Sequence, residues 1–247
     1  MYYRTLLKKI NKKYGSLNGY KGKKNVDSKY FNIIDTEHKA YWLGFLTADG
    51  HLSKKGMLEI TLAEKDYKIL EEFKKDLKSE HPINYRVCKY KGGKEFGQYR
   101  ISFTDQEIAS DLRRYGFTNN KTFDQYIPFD YIPKDLMRHY VRGYFDGNGS
   151  AFNNGGARLN LLVGCTASIK MANDLITVLF DYDISSTYGI DRRGENKVYS
   201  VFVNRTREMQ RLFKWFYEDA TIYLNRKYEK FAASGQVAWR PELISAE

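Results

Sequence analysis

The chain is poor in residues that staple or anchor a fold. Only two of 247 residues are cysteine, Cys88 and Cys165. That excludes a disulfide framework and a cysteine-based zinc site, and it fits a reducing, intracellular setting. The four histidines, His38, His51, His81 and His139, have no zinc-ligand spacing with each other or with cysteine. No apolar run approaches the roughly 20 residues of a membrane helix. The opening Met1–Ile10 lacks a secretory signal pattern, so neither a membrane span nor export is expected. Acids are also scarce: 30 Asp and Glu stand against 41 Lys and Arg, a net charge of +11. The imbalance is local. Nine basic side chains and a single acid, Asp27, fall in residues 1–30. Such an arm binds polyanions by releasing their counterions. Hydrophobic residues make up 42%, enough for a sizeable core.

What is present is a repeat. Ala40-Tyr-Trp-Leu-Gly-Phe-Leu-Thr-Ala-Asp-Gly50 and Tyr140-Val-Arg-Gly-Tyr-Phe-Asp-Gly-Asn-Gly149 align at a fixed offset. Gly44 matches Gly143, Ala48 matches Gly147, and Asp49 matches Asn148. Each segment precedes a strand-like stretch, an amphipathic helix (Lys65–Lys78 and Ser168–Phe180), two further strands and another helix. The strands are Ile83–Tyr90 with Tyr99–Thr104, and Ser185–Ile190 with Lys197–Val203. The chain therefore reads as an α+β protein of two pseudo-symmetric αββαββα halves. The expected boundaries are a basic arm at 1–35, a first half at 36–116, a linker at 117–133, a second half at 134–233 and a tail at 234–247. Pro128 and Pro133 mark the linker.

In each repeated segment two small residues lie four apart, Gly44 with Ala48 and Gly143 with Gly147, on one helix face. Bare faces let backbones approach closely. A mid-helix glycine costs up to about 1 kcal/mol against alanine, which calls for a packing reason. Each segment is thus expected to be the other's partner, with Asp49-Gly50 and Asn148-Gly149 as adjacent helix ends. Asp146 is expected to hydrogen-bond within that interface. A carboxylate at a helix C-terminus meets the unfavourable end of the dipole, and holding a cation offsets this. Two such oxygen ligands with main-chain carbonyls suit Mg²⁺ beside phosphate oxygens, and the matching chemistry is phosphodiester hydrolysis.

These two segments, at this separation and with this element order, resemble the paired motifs of a single-chain LAGLIDADG homing endonuclease over residues 36–232. The resemblance implies a monomer whose two antiparallel sheets form a saddle over the DNA major groove. It implies cleavage of both strands across the minor groove with a divalent cation, Mg²⁺ or an alternative such as Mn²⁺ or Ca²⁺. Asp49 then stands for the metal-binding acid of the first motif and Asn148 for that of the second, with the carbonyls of Ala48 and Gly147 as supporting ligands. Lys121 and Lys227 resemble the basic residues placed near the scissile phosphates, as candidate catalytic groups. Asn148 departs from the family's acidic pattern. It keeps an oxygen but loses a charge, so slow cleavage, nicking or binding without cleavage is expected. The implied setting is the cytoplasm of a prokaryote or phage-infected cell, or an organelle.

Strand alternation turns Arg100, Ser102 and Thr104 outward and Tyr99, Ile101 and Phe103 inward. Arg86, Lys89, Arg158, Asn160, Arg192, Arg193 and Lys197 complete the candidate DNA contacts, with Lys91 and Lys94 beside a loop as further backbone contacts. Arginine reads guanine and asparagine reads adenine by paired hydrogen bonds. The halves differ widely in sequence, so an asymmetric target is expected. The same scaffold leaves two other functions open, an intron-RNA-binding maturase and a non-cleaving DNA-binding regulator. The ends of the chain carry neither the nucleophile nor the terminal asparagine of an intein.

Overall fold

Thr36 starts the first long helix by accepting a hydrogen bond from the Lys39 amide at 3.3 Å, which satisfies one orphan donor of the first turn. In the computed structural model, which describes residues 25–90, 92–93, 95–117, 121–153, 159–194 and 196–233, this helix is α1, Glu37–Asp49. It leads into β1 (His51–Leu52), β2 (Met57–Ala63), a 3-10 turn, α2 (Tyr67–Asp76), β3 (Ile83–Lys89), β4 (Glu95–Thr104) and α3 (Gln106–Arg114). A single-turn helix α4 (Lys121–Asp124) follows. The order then recurs: α5 (Met137–Asn148), β5 (Ser150–Asn153), β6 (Leu159–Thr166), α6 (Ile169–Asp181), β7 (Thr187–Asp191), β8 (Val198–Val203) and α7 (Thr206–Tyr217), with α8 (Asn225–Ala232) added. Each half forms a four-stranded antiparallel sheet, ordered β1-β2-β4-β3 and β5-β6-β8-β7. The expected two-half αββαββα fold is the one observed. No helix among the described residues is long and apolar enough to cross a membrane.

The centre of the molecule is the α1–α5 pair. Every residue of α1 from Ala40 to Leu46 is buried, because this helix faces its own sheet on one side and α5 on the other. An ordinary surface helix keeps a polar stripe; α1 has none over that stretch. In each half the amphipathic second helix, α2 or α6, packs its apolar stripe on one sheet face. Ile69, Leu70 and Phe73 do this in the first half and Met171, Leu175 and Leu179 in the second. Among the described residues the opposite face of each sheet carries no helix.

Two segments differ from expectation. Residues 25–35, placed in the arm on charge alone, belong to the first half's core. Phe31 and Ile34 are buried, the Asp27 amide bonds the Leu77 carbonyl at 2.8 Å, and Tyr115 donates to the Phe31 carbonyl at 2.7 Å. An irregular loop has no period, so this burial left no pattern to read. The proposed helix on Leu6, Leu7, Ile10 and Tyr14 lies outside the described residues, as does the tail from 234. In the segment expected as a linker, Gln125, Ile127 and Ile132 are buried.

Candidate active site between the motif helices

The small residues seat the two helices reciprocally. A Cβ built on Gly44 would overlap the Tyr140 carbonyl and come within 3.0 Å of the Tyr144 amide nitrogen. A Cβ on Gly143 would overlap the Tyr41 carbonyl and come within 3.0 Å of the Phe45 amide nitrogen. These are equivalent contacts under the sequence repeat, the mark of a pseudo-twofold axis between the helices. One turn further, a Cβ built on Gly147 would overlap the Ala48 methyl and lie 3.5 Å from the Asp49 amide nitrogen. The ends carrying positions 49 and 148 are therefore side by side. Both helices stop in the same way, with Gly50 N–H donating to the Leu46 carbonyl at 2.8 Å and Gly149 N–H to the Phe145 carbonyl at 2.7 Å. The expected glycine caps are there, but their φ angles are −72° and −87°. Glycine serves here because a side chain would strike the preceding turn, not because of left-handed backbone.

The two motif positions differ in surroundings. Asp49 is exposed. Asn148 is half-buried; its amide nitrogen donates to the Cys165 carbonyl on β6 and, at 3.4 Å, to the Tyr144 hydroxyl. That leaves the amide oxygen as its ligating atom. Tyr144 donates onward to Oε1 of Gln125 at 3.2 Å, and Nε2 of Gln125 donates to the Thr47 carbonyl on α1 at 2.7 Å. Gln125 thus ties both helix ends together. Nothing in its sequence context singles it out.

Lys227 stands behind this pair. Its ammonium donates to the carbonyls of Phe145, Asp146 and Gly149 at 2.6, 2.7 and 2.7 Å. Three donors thereby cap the C-terminal end of α5 with a positive charge, where the dipole favours one. Burial pushes its pKa down to about 8, while the charges of Asp146 and Asp49 act the other way. Asp146 lies in the interface as expected. Its Oδ2 accepts from the Tyr41 hydroxyl at 2.9 Å and the Leu224 amide at 2.8 Å. Among the described residues its Oδ1 is buried without a hydrogen-bond partner. Burial raises the Asp146 carboxyl to about 6, against the opposing charge of Lys227. The α5 side also holds Arg142, fully buried, bonded to the Ile222 and Phe216 carbonyls and paired with Glu37 at 2.7 Å. The side chain of Lys121, the other candidate catalytic lysine, lies outside the described residues.

Among the described residues no three His, Cys, Asp or Glu side chains cluster as metal ligands. A cation at this site would rest on the Asp49 carboxylate, the Asn148 amide oxygen and the Ala48 and Gly147 carbonyls. That set is all oxygen with one formal charge, which fits a hard cation such as Mg²⁺ and not zinc.

Of the expected DNA-contacting residues, Arg86, Arg100, Ser102, Thr104 and Asn160 lie on the sheet faces turned away from the buried strand residues. Register places Arg100 opposite Thr61 and Asn84, and Ser102 opposite Glu59. Arg100, Ser102 and Thr104 alternate with buried Ile101 and Phe103 as read from sequence. Arg100 lies 3.4 Å from Glu59, and Arg86 donates to Gln98 at 3.2 Å on the same face. Lys89 alternates to the other side from Arg86 and pairs with Glu95 at 2.8 Å. Asn160 is half-buried on the open face of the second sheet, opposite Phe152. Arg192, Arg193 and Lys197 are exposed near the β7–β8 connection, with Arg193 paired to Asp191 at 2.7 Å. Arg158, Lys91 and Lys94 lie outside the described residues.

No sequence profile of a known protein family matches the chain. It is 29% identical over 174 residues to the replication factor C small subunit of Methanocaldococcus jannaschii, an overlap of 68% of this chain. The chain spans only 9% of that protein's length. Solved structures share its fold. The homing endonuclease I-WcaI bound to its DNA recognition sequence superposes with a TM-score of 0.60 at 14% identity, covering 81% of this chain and 90% of that one. The meganuclease I-SmaMI bound to uncleavable DNA gives 0.54 at 14% identity, again over 81% and 90%. The fold is that of the LAGLIDADG homing endonucleases.

Proposed function

We propose that the protein is a site-specific DNA endonuclease that lays its two open sheet faces along an asymmetric duplex and cuts phosphodiesters at the paired ends of α1 and α5. The observation that supports this most is the reciprocal seating of Gly44 on Tyr140 and Gly143 on Tyr41. It sets the helix ends that carry Asp49 and Asn148 side by side.

A divalent cation bound there would supply Lewis-acid stabilisation of the reacting phosphate. The chain's own residues do the rest. Asp49 supplies the negative charge that would hold the cation, with Asn148, Ala48 and Gly147 as neutral oxygen donors. Lys227 is a positioning residue: it fixes the Phe145, Asp146 and Gly149 carbonyls and so the place of Gly147 and Asn148 between them. Asn148 halves the formal charge expected of the paired motif acids, so turnover is slow or biased to one strand. Arg100, Ser102, Arg86 and Asn160 supply base contacts, and Arg192, Arg193 and Lys197 contact phosphates.

A second reading, a duplex-binding regulator that does not cut, is favoured by Asn148. Its amide is hydrogen-bonded to the Cys165 carbonyl, a partner that a carboxylate could not use. Selecting targets from a random duplex pool, then incubating the enriched DNA with Mg²⁺ or Mn²⁺, separates the readings. Cut or nicked product supports the nuclease; enrichment with no product under either cation supports the regulator. Stronger binding to structured RNA than to any enriched duplex would contradict both and favour the maturase.

A further inference from the structure

The two open sheet faces are chemically unlike. On the first, Glu59 and Arg100 of the central strands and Arg86 of the edge strand β3 are engaged with one another or with Gln98 and Thr61. On the second, the central strands put Leu162 and Phe202 on this face, beside Asn160, Cys165 and Ser200. Leu162 lies opposite Phe202 in register, and Val198 lies opposite Asp191 at the sheet end. The rings of Phe152 and Phe202 meet edge to face at 6.4 Å. All four apolar side chains are half-exposed while their neighbours Leu161, Val163, Val201 and Val203 are buried. Alternation therefore turns them away from the core. Gly189 adds bare backbone beside Phe202, where a Cβ would press to 3.2 Å from that ring.

This patch is continuous with the candidate active site. Cys165 lies opposite Ser200 on the same face, and its carbonyl holds the Asn148 amide. Arg192, Arg193 and Lys197 rim its outer end. An apolar strip between cations and a phosphate-cleaving site fits a ligand with anionic edges and an apolar centre. In a duplex the major groove offers that combination at thymine, whose 5-methyl is the apolar group on a base edge.

Resting on the reading of the open faces as a duplex-binding surface, we propose that the second sheet recognises its half-site through thymine methyl groups, with Leu162, Phe202 and Phe152 as specificity-determining residues, while the first sheet reads its half by hydrogen bonds. The target is then asymmetric in the kind of recognition as well as in sequence, with one half rich in A·T pairs.

The test is a paired selection by the full chain from random duplex pools, one built with thymidine and one with deoxyuridine, which lacks only the methyl. Arg100→Ala identifies the half read by the first sheet, where base preference relaxes. The thymidine pool should yield an A·T-rich consensus in the other half. The deoxyuridine pool should lose that consensus and keep the first half intact. Substituting deoxyuridine at a single contacted position should weaken binding about fourfold, the ratio for burying one methyl. The Leu162→Asn, Phe202→Ser double variant should erase the thymine preference while retaining the first half's consensus. An identical consensus from both pools would overturn this inference and leave duplex recognition standing. No enrichment from either pool would overturn the duplex reading itself.

Discussion

Gly44 rests directly on the main-chain carbonyl of Tyr140, with no room for a methyl group between them. Two effects oppose each other at this position. Helix propensity favours alanine over glycine by about 1 kcal/mol. Overpacking typically costs about 1–3 kcal/mol, and here the obstacle is backbone of a buried helix, which cannot swing aside. The second effect wins. Gly44→Ala and Gly143→Ala should each lower the melting temperature by several degrees, at about 2–4 °C per kcal/mol for a chain of this size. Gly92, with open space around it, is the control, and Gly92→Ala should leave the melting temperature unchanged.

Asn148→Asp exchanges an amide donor for a carboxylate facing the Cys165 carbonyl. Without divalent cation the variant should lose about 1–3 kcal/mol, the cost of a disrupted partly buried hydrogen bond. Millimolar Mg²⁺ should restore stability more in the variant than in the parent, because a ligand that binds only the folded state stabilises it. Thermal melts in EDTA and in Mg²⁺ check this, and equal Mg²⁺ responses would contradict it.

Lys227→Met should be among the most damaging single changes. It strands the Phe145, Asp146 and Gly149 carbonyls and removes the opposing charge from buried Asp146. A loss of about 3 kcal/mol or more is expected. Adding Asp146→Asn removes the stranded charge, so the double variant should be more stable than the sum of the single losses predicts. Urea unfolding of the three variants measures the coupling.

His139 gives a pH signature. Burial first, then the charge of Arg142, pushes its imidazole down to about 4 from an ordinary 6.5. Arg142 donates to its Nδ1 at 2.9 Å, a contact that needs that nitrogen unprotonated. As pH falls from 6.5 to 4, the unfolded chain takes up a proton that the folded chain refuses. This group therefore withdraws stability across that window and leaves it unchanged above it. His139→Gln should flatten the fall in urea midpoint between pH 6.5 and 4.

The parts of the molecule with a period were legible in the sequence. The repeat placed α1 and α5, the small residues predicted their seating, and alternation set Arg100 and Ser102 against Ile101 and Phe103. What escaped was burial without periodicity. Arg142 is a residue type seldom buried, yet it is inaccessible because three separate chain segments meet it, Glu37, Phe216 and Ile222. Gln125 and Lys227 likewise act through main-chain carbonyls distant in sequence, and such contacts leave no local pattern. The outward place of Cys165 on the second sheet was hidden for another reason: strict alternation from Leu162 would turn Cys165 inward, and a β-bulge between Leu162 and Gly164 shifts it to the open face.

The account stands on Asp49 as the charged ligand at the meeting point of α1 and α5. The most direct measurement is single-turnover cleavage of the selected duplex in Mg²⁺ by the parent chain, Asp49→Asn, Asn148→Asp and the double variant. Asn148→Asp should cut faster than the parent, and both proteins with Asp49→Asn should give no product. Cleavage by Asp49→Asn at the parent rate would contradict the account.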